Sequence, residues 1–145
     1  MNTKVKVCVQ GLGFVGLAMS IAVANSKDKN NEPYFDVVGL DLPNKEGEQK
    51  IEAINNGIFP FKCTDKNLIK AFYLAIKQSN LRATSCTNEL KGAEIIIVDI
   101  NLDVKEIEKN PKIDFSGLKQ AIKSIGEKME KDALVIVETT VPPGT

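Results

Sequence analysis

No histidine occurs in the chain. Its absence removes the commonest general base and the commonest metal ligand, so any chemistry here rests on other groups. Cysteine is scarce: Cys8, Cys63 and Cys86 lie far apart and form no C-x-x-C pair. That spacing argues against a zinc site or a disulfide framework and fits a reducing cytoplasm. Net charge is missing too, because 19 basic and 19 acidic residues are interspersed and balance to zero. The chain therefore carries no electrostatic footprint for nucleic acid or an anionic membrane. No apolar run approaches the roughly 20 residues of a membrane span, and the N-terminus passes into a β-like run rather than a leucine-rich signal segment.

What is present suits one soluble globular domain. The 145 residues are 43% hydrophobic and 26% charged. A chain of this length buries about 68–70% of its extended surface, enough for one core.

The most informative segment is the apolar-leaning run Val5 to Gln10, which feeds into Gly11-Leu12-Gly13-Phe14-Val15-Gly16. In a strand-to-helix turn each glycine meets a separate demand: Gly11 allows the sharp turn, Gly13 leaves no Cβ beside a diphosphate, and Gly16 permits close helix–strand packing. The helix then points unpaired N–H groups at the phosphates, an anion site that needs no lysine. Taken alone, G-x-G-x-x-G also fits an ordinary strand-to-helix turn. Context favours a dinucleotide: Phe14 to Ala24 is apolar almost all round, and Phe35 to Asp41 reads as a second buried strand ending in an acid. Asp41 can accept bonds from the adenosine ribose hydroxyls and would repel a 2′-phosphate, favouring NAD over NADP. The plainer reading of Asp41 is a solvated residue opening the turn Asp41-Leu42-Pro43-Asn44.

Further along, Gly47 to Asn56 predicts a short helix with Gly57 as its cap, and Asp65 to Ser79 an amphipathic helix behind Thr64 or Asp65. Between them, the phenylalanines of Ile58-Phe59-Pro60-Phe61 either fill core or form a lid, with core the plainer reading. Strands are expected at Leu81 to Ser85, at Ala93 to Ile100 in the sheet centre, and at Ala133 to Val137. A helix from about Asp114 to Lys128 would show the stripe Leu118, Ile122, Ile125 and Met129. Alternating strands and helices predict an α/β, Rossmann-like doubly wound parallel sheet with helices on both faces. Right-handed crossovers give the strand order 3-2-1-4-5. The glycine turn, Asp41, Asp99 to Asn101 and Thr139 to Pro143 then share one edge. Asp99, Asn101 and Asp103 superficially suggest a calcium loop, but Val104 stands where its glycine belongs and Asn110 where its bidentate glutamate belongs. Turn and cap roles are expected of them instead. The final expected strand has no helix after it to cover the edge it makes, which suggests a truncated domain from a longer protein.

Nearly the whole chain resembles the N-terminal, NAD-binding part of the UDP-glucose/GDP-mannose dehydrogenase family. The segments that carry the likeness are Gly11 to Leu17, Gly39-Leu40-Asp41, Ile51 to Gly57, Leu81 to Ser85, and the rarer Glu138-Thr139-Thr140-Val141-Pro142-Pro143-Gly144-Thr145. The resemblance implies NAD as cofactor and a nucleotide-sugar substrate, a UDP-sugar or UDP-N-acetylaminosugar, whose C6 alcohol is oxidised to a carboxylate in two NAD-coupled steps. The cysteine that carries that chemistry in the family belongs to a later sugar-binding domain with no counterpart in residues 1–145, so this domain alone is expected to be inactive. By the same resemblance Phe14, Val15, Asp41 and Thr140 touch NAD, and Thr140 also helps to position catalytic water. Lys50 corresponds to a basic residue near the adenosine end, across a connector longer than usual. A homo-oligomer is implied for the full-length protein. One departure stands out: the family's Val-Pro-Thr-Pro is replaced by Val98-Asp99-Ile100-Asn101, which loses a hydroxyl and adds a carboxylate. Two alternatives remain open, namely the cofactor domain of another hydroxyacid or sugar-phosphate dehydrogenase, and a non-catalytic nucleotide-sensing module.

Overall fold

The computed structural model describes residues 4–107 and 110–145, with 103–107 and 110–112 described by their backbone. In chain order the elements are β1 (Val5–Gln10), α1 (Phe14–Ala24), β2 (Phe35–Leu40), α2 (Lys45–Asn55), α3 (Lys66–Lys77), β3 (Leu81–Thr84), β4 (Ile95–Val98), β5 (Asp103–Ile107), β6 (Asn110–Asp114), α4 (Ser116–Lys128) and β7 (Leu134–Val137). Five of the strands form one sheet in the order β3-β2-β1-β4-β7, every neighbouring pair parallel. This is the expected doubly wound order, with β7 as the fifth strand of the expected set.

Alternation along the strands divides the core. Val7, Val9 and Val37 face α1, α2 and α3, where Leu17, Ile21, Ile54 and Phe72 meet them. Cys8, Val38, Ile96 and Val98 face the other way, against Leu118 and Ile125 of α4 and Leu90 of a 3-10 turn at Thr87–Leu90. A strand apolar on both faces is the mark of a parallel sheet covered twice. The helices therefore change sides between β1 and β4, which opens a crevice at the carboxyl ends of those two strands.

Local chemistry explains where elements start and stop. Asp65 caps α3, its Oδ1 accepting from the N–H groups of Asn67 (2.8 Å) and Leu68 (3.1 Å), while Asn44 caps α2 through the Gly47 N–H. Beyond α2, Gly57 takes the left-handed conformation (φ +71°), as expected of a residue following a helix. Buried Asn80 donates to the carbonyls of Ala24 (2.6 Å) and Phe35 (3.0 Å), joining α1 to β2. Phe59 packs edge-on against Phe72 with centroids 5.4 Å apart, so the Ile58–Phe61 connector fills core at that position.

Three expectations need correction. β4 is shorter than Ala93 to Ile100, because the Ile100 N–H leaves the ladder for the Thr139 hydroxyl (2.8 Å). Ile122 is 41% exposed rather than part of the buried stripe of α4, where Ala121 takes its place. It lines an apolar groove of about 750 Å³ with Phe115, Pro142 and Pro143, away from the glycine turn. Asp103 is not a turn or cap residue: it begins an antiparallel ribbon in which β5 and β6 pair from Asp103↔Asp114 to Ile107↔Asn110. A two-stranded ribbon paired only with itself lacks the continuous apolar run that marked the central strands.

Candidate cofactor site

The turn after β1 is built by contacts that leave no room for side chains at two of its glycines. Gly11 has φ +105°, and a Cβ there would stand 2.1 Å from the Asp99 carbonyl oxygen. At Gly16 a Cβ would stand 1.9 Å from the Gly11 carbonyl oxygen, so the first turn of α1 lies directly on the loop. Gly13 differs. It is extended (φ −66°, ψ −177°), and a Cβ there would meet only the Asn101 side chain at 3.6 Å. The space beside Gly13 is open, which suits a ligand rather than packing.

α1 has no capping side chain and no acid in its first turn. Its first internal bond is Leu17 N–H to the Gly13 carbonyl (3.0 Å), and the N–H groups of Phe14, Val15 and Gly16 have no acceptor among the described residues. Open amides at the positive end of a helix form an anion site. Phe14 and Val15 are 47% and 59% exposed despite being apolar. The Phe14 ring sits edge-on to Phe61, 5.8 Å between centroids.

Asp41 closes β2 beside this turn. Its Oδ1 accepts from the Leu42 N–H at 2.8 Å, and its Oδ2 lies 2.5 Å from the Lys50 ammonium on α2. Both side chains are largely buried, 15% exposed for Lys50 and 11% for Asp41. Asp41 is thus a paired carboxylate, not a solvated turn residue. The sequence pointed to Lys50 only through the resemblance. The pairing itself was hidden by the connector between them.

On the far side of the turn, Val15, Asp99, Ile100, Asn101, Glu138 and Thr140 are among the residues around a cavity of about 520 Å³. The two threonines after β7 divide their work. Thr139 is buried and joins strands, its hydroxyl accepting from Ile100 N–H and donating to the Val98 carbonyl (3.4 Å). Thr140 is exposed at the cavity. Alternation along an extended chain separates the two, but the sequence alone does not say which faces in. Asp99 burial also escaped sequence reading: its Oδ2 is enclosed with no hydrogen-bond partner, 3.2 Å from where a Gly16 Cβ would be. Desolvation, followed by the Glu138 charge, pushes its carboxyl above the usual range.

The model of the UDP-glucose/GDP-mannose dehydrogenase family, NAD binding domain, matches residues 5–145. The chain belongs to that family. It is an NAD-binding domain, and the open amides and vacant space at Gly13 fit the diphosphate of that cofactor. Among relatives, the UDP-N-acetyl-D-mannosamine dehydrogenase of Methanocaldococcus jannaschii is 31% identical over 140 residues, 97% of this chain and 29% of that protein. The UDP-glucose 6-dehydrogenase of Rickettsia bellii is 29% identical over 136 residues, 93% of this chain and 28% of that protein. The structure of an NDP-N-acetyl-D-galactosaminuronic acid dehydrogenase from Methanosarcina mazei Go1 superposes with a TM-score of 0.85 at 26% identity, covering 99% of this chain and 29% of that one. The chain thus spans under a third of the length of these relatives. Among the described residues no helix is long and apolar enough to cross a membrane.

Proposed function

We propose that this domain holds NAD for a nucleotide-sugar 6-dehydrogenase acting on a UDP-sugar or UDP-N-acetylaminosugar, with residues 1–145 as its cofactor domain. The names of the relatives support that substrate class. In the full-length protein the reaction takes the C6 alcohol to a carboxylate, in the cytoplasm and in a homo-oligomer. NAD supplies hydride acceptance; the protein supplies position and electrostatics.

The placements support the following roles. Gly11 and Gly16 shape the turn, and Gly13 admits the diphosphate to the amides of Phe14, Val15 and Gly16. Asp41 accepts from the adenosine ribose with the lone pairs left free by Leu42 and Lys50. Thr140, at the cavity, faces the nicotinamide half and helps to position catalytic water. The observation that carries the reading is the set of uncapped amides beside the one glycine of the turn with open space around it.

Calorimetric titration with NAD and NADP tests it, using wild type and Gly13→Val. Wild type should bind NAD more tightly than NADP. Gly13→Val should melt near the wild-type temperature, because its Cβ meets no backbone, yet lose NAD binding. Undiminished NAD binding by a folded Gly13→Val would move the diphosphate away from this turn.

A further inference from the structure

Among the described residues Asp99 is the one carboxylate packed beneath the amides that receive the diphosphate. Its backbone is part of the same contact, since the Asp99 carbonyl fills the space where a Gly11 side chain would be. Its Oδ2 lies under the first turn of α1, close to Gly16, enclosed and without a hydrogen-bond partner. It therefore draws no direct bond from the open amides, yet it sits within their field. A helix N-terminus is equivalent to roughly half a unit of positive charge, and its effect falls off within the first turn. A negative charge on Asp99 opposes that half unit and weakens the anion site.

Few compensating groups surround it among the described residues. Among the described residues the turn and α1 contribute no titratable side chain. The other walls bring Asn101, Thr139 and Thr140, which are neutral, and Glu138, a second acid. No lysine or arginine among the described residues lines this cavity.

Building on the NAD reading above, we propose that Asp99 sets the affinity of the cofactor site and takes up a proton from solvent when the diphosphate binds. The neutral carboxyl ends the repulsion and restores the helix field to the phosphates. Cofactor binding then strengthens as pH falls and weakens as pH rises. The diphosphate keeps its charge throughout that range, so the dependence comes from the protein.

Calorimetric titration of NAD from pH 5.5 to 8.5, repeated in buffers of different ionisation enthalpy, measures affinity and proton uptake together. Wild type should bind NAD more weakly at the high-pH end of the range than at the low-pH end, with proton uptake. Asp99→Asn, close in size, should bind about tenfold more tightly at pH 8, which corresponds to one pH unit of coupling, and should show no uptake. Glu138→Gln should keep the pH dependence, which separates Asp99 from its acidic neighbour. A wild-type affinity that stays flat with pH, or an Asp99→Asn protein that binds NAD more weakly, would overturn the assignment while leaving the NAD site standing. No binding by either protein at any pH would remove the NAD reading as well.

Discussion

Single atoms decide what each residue of the turn does. Adding a methyl at Gly16 drives a Cβ to 1.9 Å from a carbonyl oxygen, and backbone cannot yield as a flexible side chain can. Gly16→Ala should therefore destabilise the fold by about 1–3 kcal/mol, read as a lower midpoint in denaturant, whereas Gly13→Ala should leave the midpoint nearly unchanged. Two glycines of one motif thus stand in different surroundings, one packed against backbone and one beside open space. The carboxylate of Asp41 poses a related question, because Lys50 offsets the charge that was to repel NADP. Asp41→Ala should weaken NAD by about 1–3 kcal/mol, the scale of a charged hydrogen bond. It should also release Lys50 toward a 2′-phosphate, so NADP loses less than NAD or gains. Lys50→Met should act the other way and sharpen the preference for NAD. Titration of both variants with both cofactors measures this, and an equal loss for the two cofactors in Asp41→Ala would contradict the charge argument. Lys50→Met should in addition lower the melting temperature, since it leaves a largely buried carboxylate unpaired.

Between elements, side-chain amides make joints that apolar patterning does not reveal. Asn55, near the end of α2, donates to the Ala83 carbonyl (2.8 Å) and accepts from the Ala83 N–H (2.9 Å). β3 is an edge strand, and this single amide occupies both outward-facing groups of its third residue, blunting an edge that could pair with another chain. Asn55→Ala should cost about 1–2 kcal/mol in denaturant unfolding and raise the tendency to aggregate. A variant as stable and soluble as wild type would show the joint to be dispensable. The sheet and its order were legible because Val5 to Gln10, Phe35 to Leu40 and Ile95 to Val98 are apolar on both faces, a signal carried by each strand alone. The glycine turn was legible for a similar reason, its spacing being local. Asn55 and Asn80 were not, because a polar residue on a helix or loop gains its meaning from a partner 28 or 56 residues away. Nor was the β5–β6 ribbon, whose sequence alternates charge with single apolar residues and reads as loop. Lys50 and Asp99 fall in the same class: sequence supplies the charged group, and only the fold supplies what it faces.

Across the whole molecule, one surface carboxylate ties the sheet to the turn that covers it. Glu89, in the 3-10 turn, places Oε2 at 2.9 Å from both the Lys6 ammonium of β1 and the Arg82 guanidinium of β3. Those strands are separated by β2, so the contact spans three strands of the sheet. Below it, buried Cys8 lies against the same turn, its Sγ 3.2 Å from the Glu89 carbonyl, and burial raises its thiol to about 11. Hydrogen bonds from Arg82 and then Lys6 hold the Glu89 carboxyl down at about 2, against an ordinary 4.5. A carboxyl depressed by folding stabilises the native state fully above its unfolded value, and that contribution fades as pH falls toward the folded one. Asp99 works in the opposite sense. Its carboxyl is raised by burial, so its contribution to stability is greatest at low pH and declines as pH rises through its folded value. Thermal melting of wild type, Glu89→Gln and Asp99→Asn across pH 2–8 separates the two. Glu89→Gln should melt below wild type at pH 6 and converge with it as pH approaches about 2, since protonation then imposes the same loss on both. Asp99→Asn should melt above wild type at pH 8, with the difference shrinking in acid. Curves for Glu89→Gln and wild type that stay parallel below pH 4.5 would remove Glu89 as the source of acid sensitivity. A molecule so arranged loses stability in acid through one carboxylate outside the site and, as pH rises, through the other inside it.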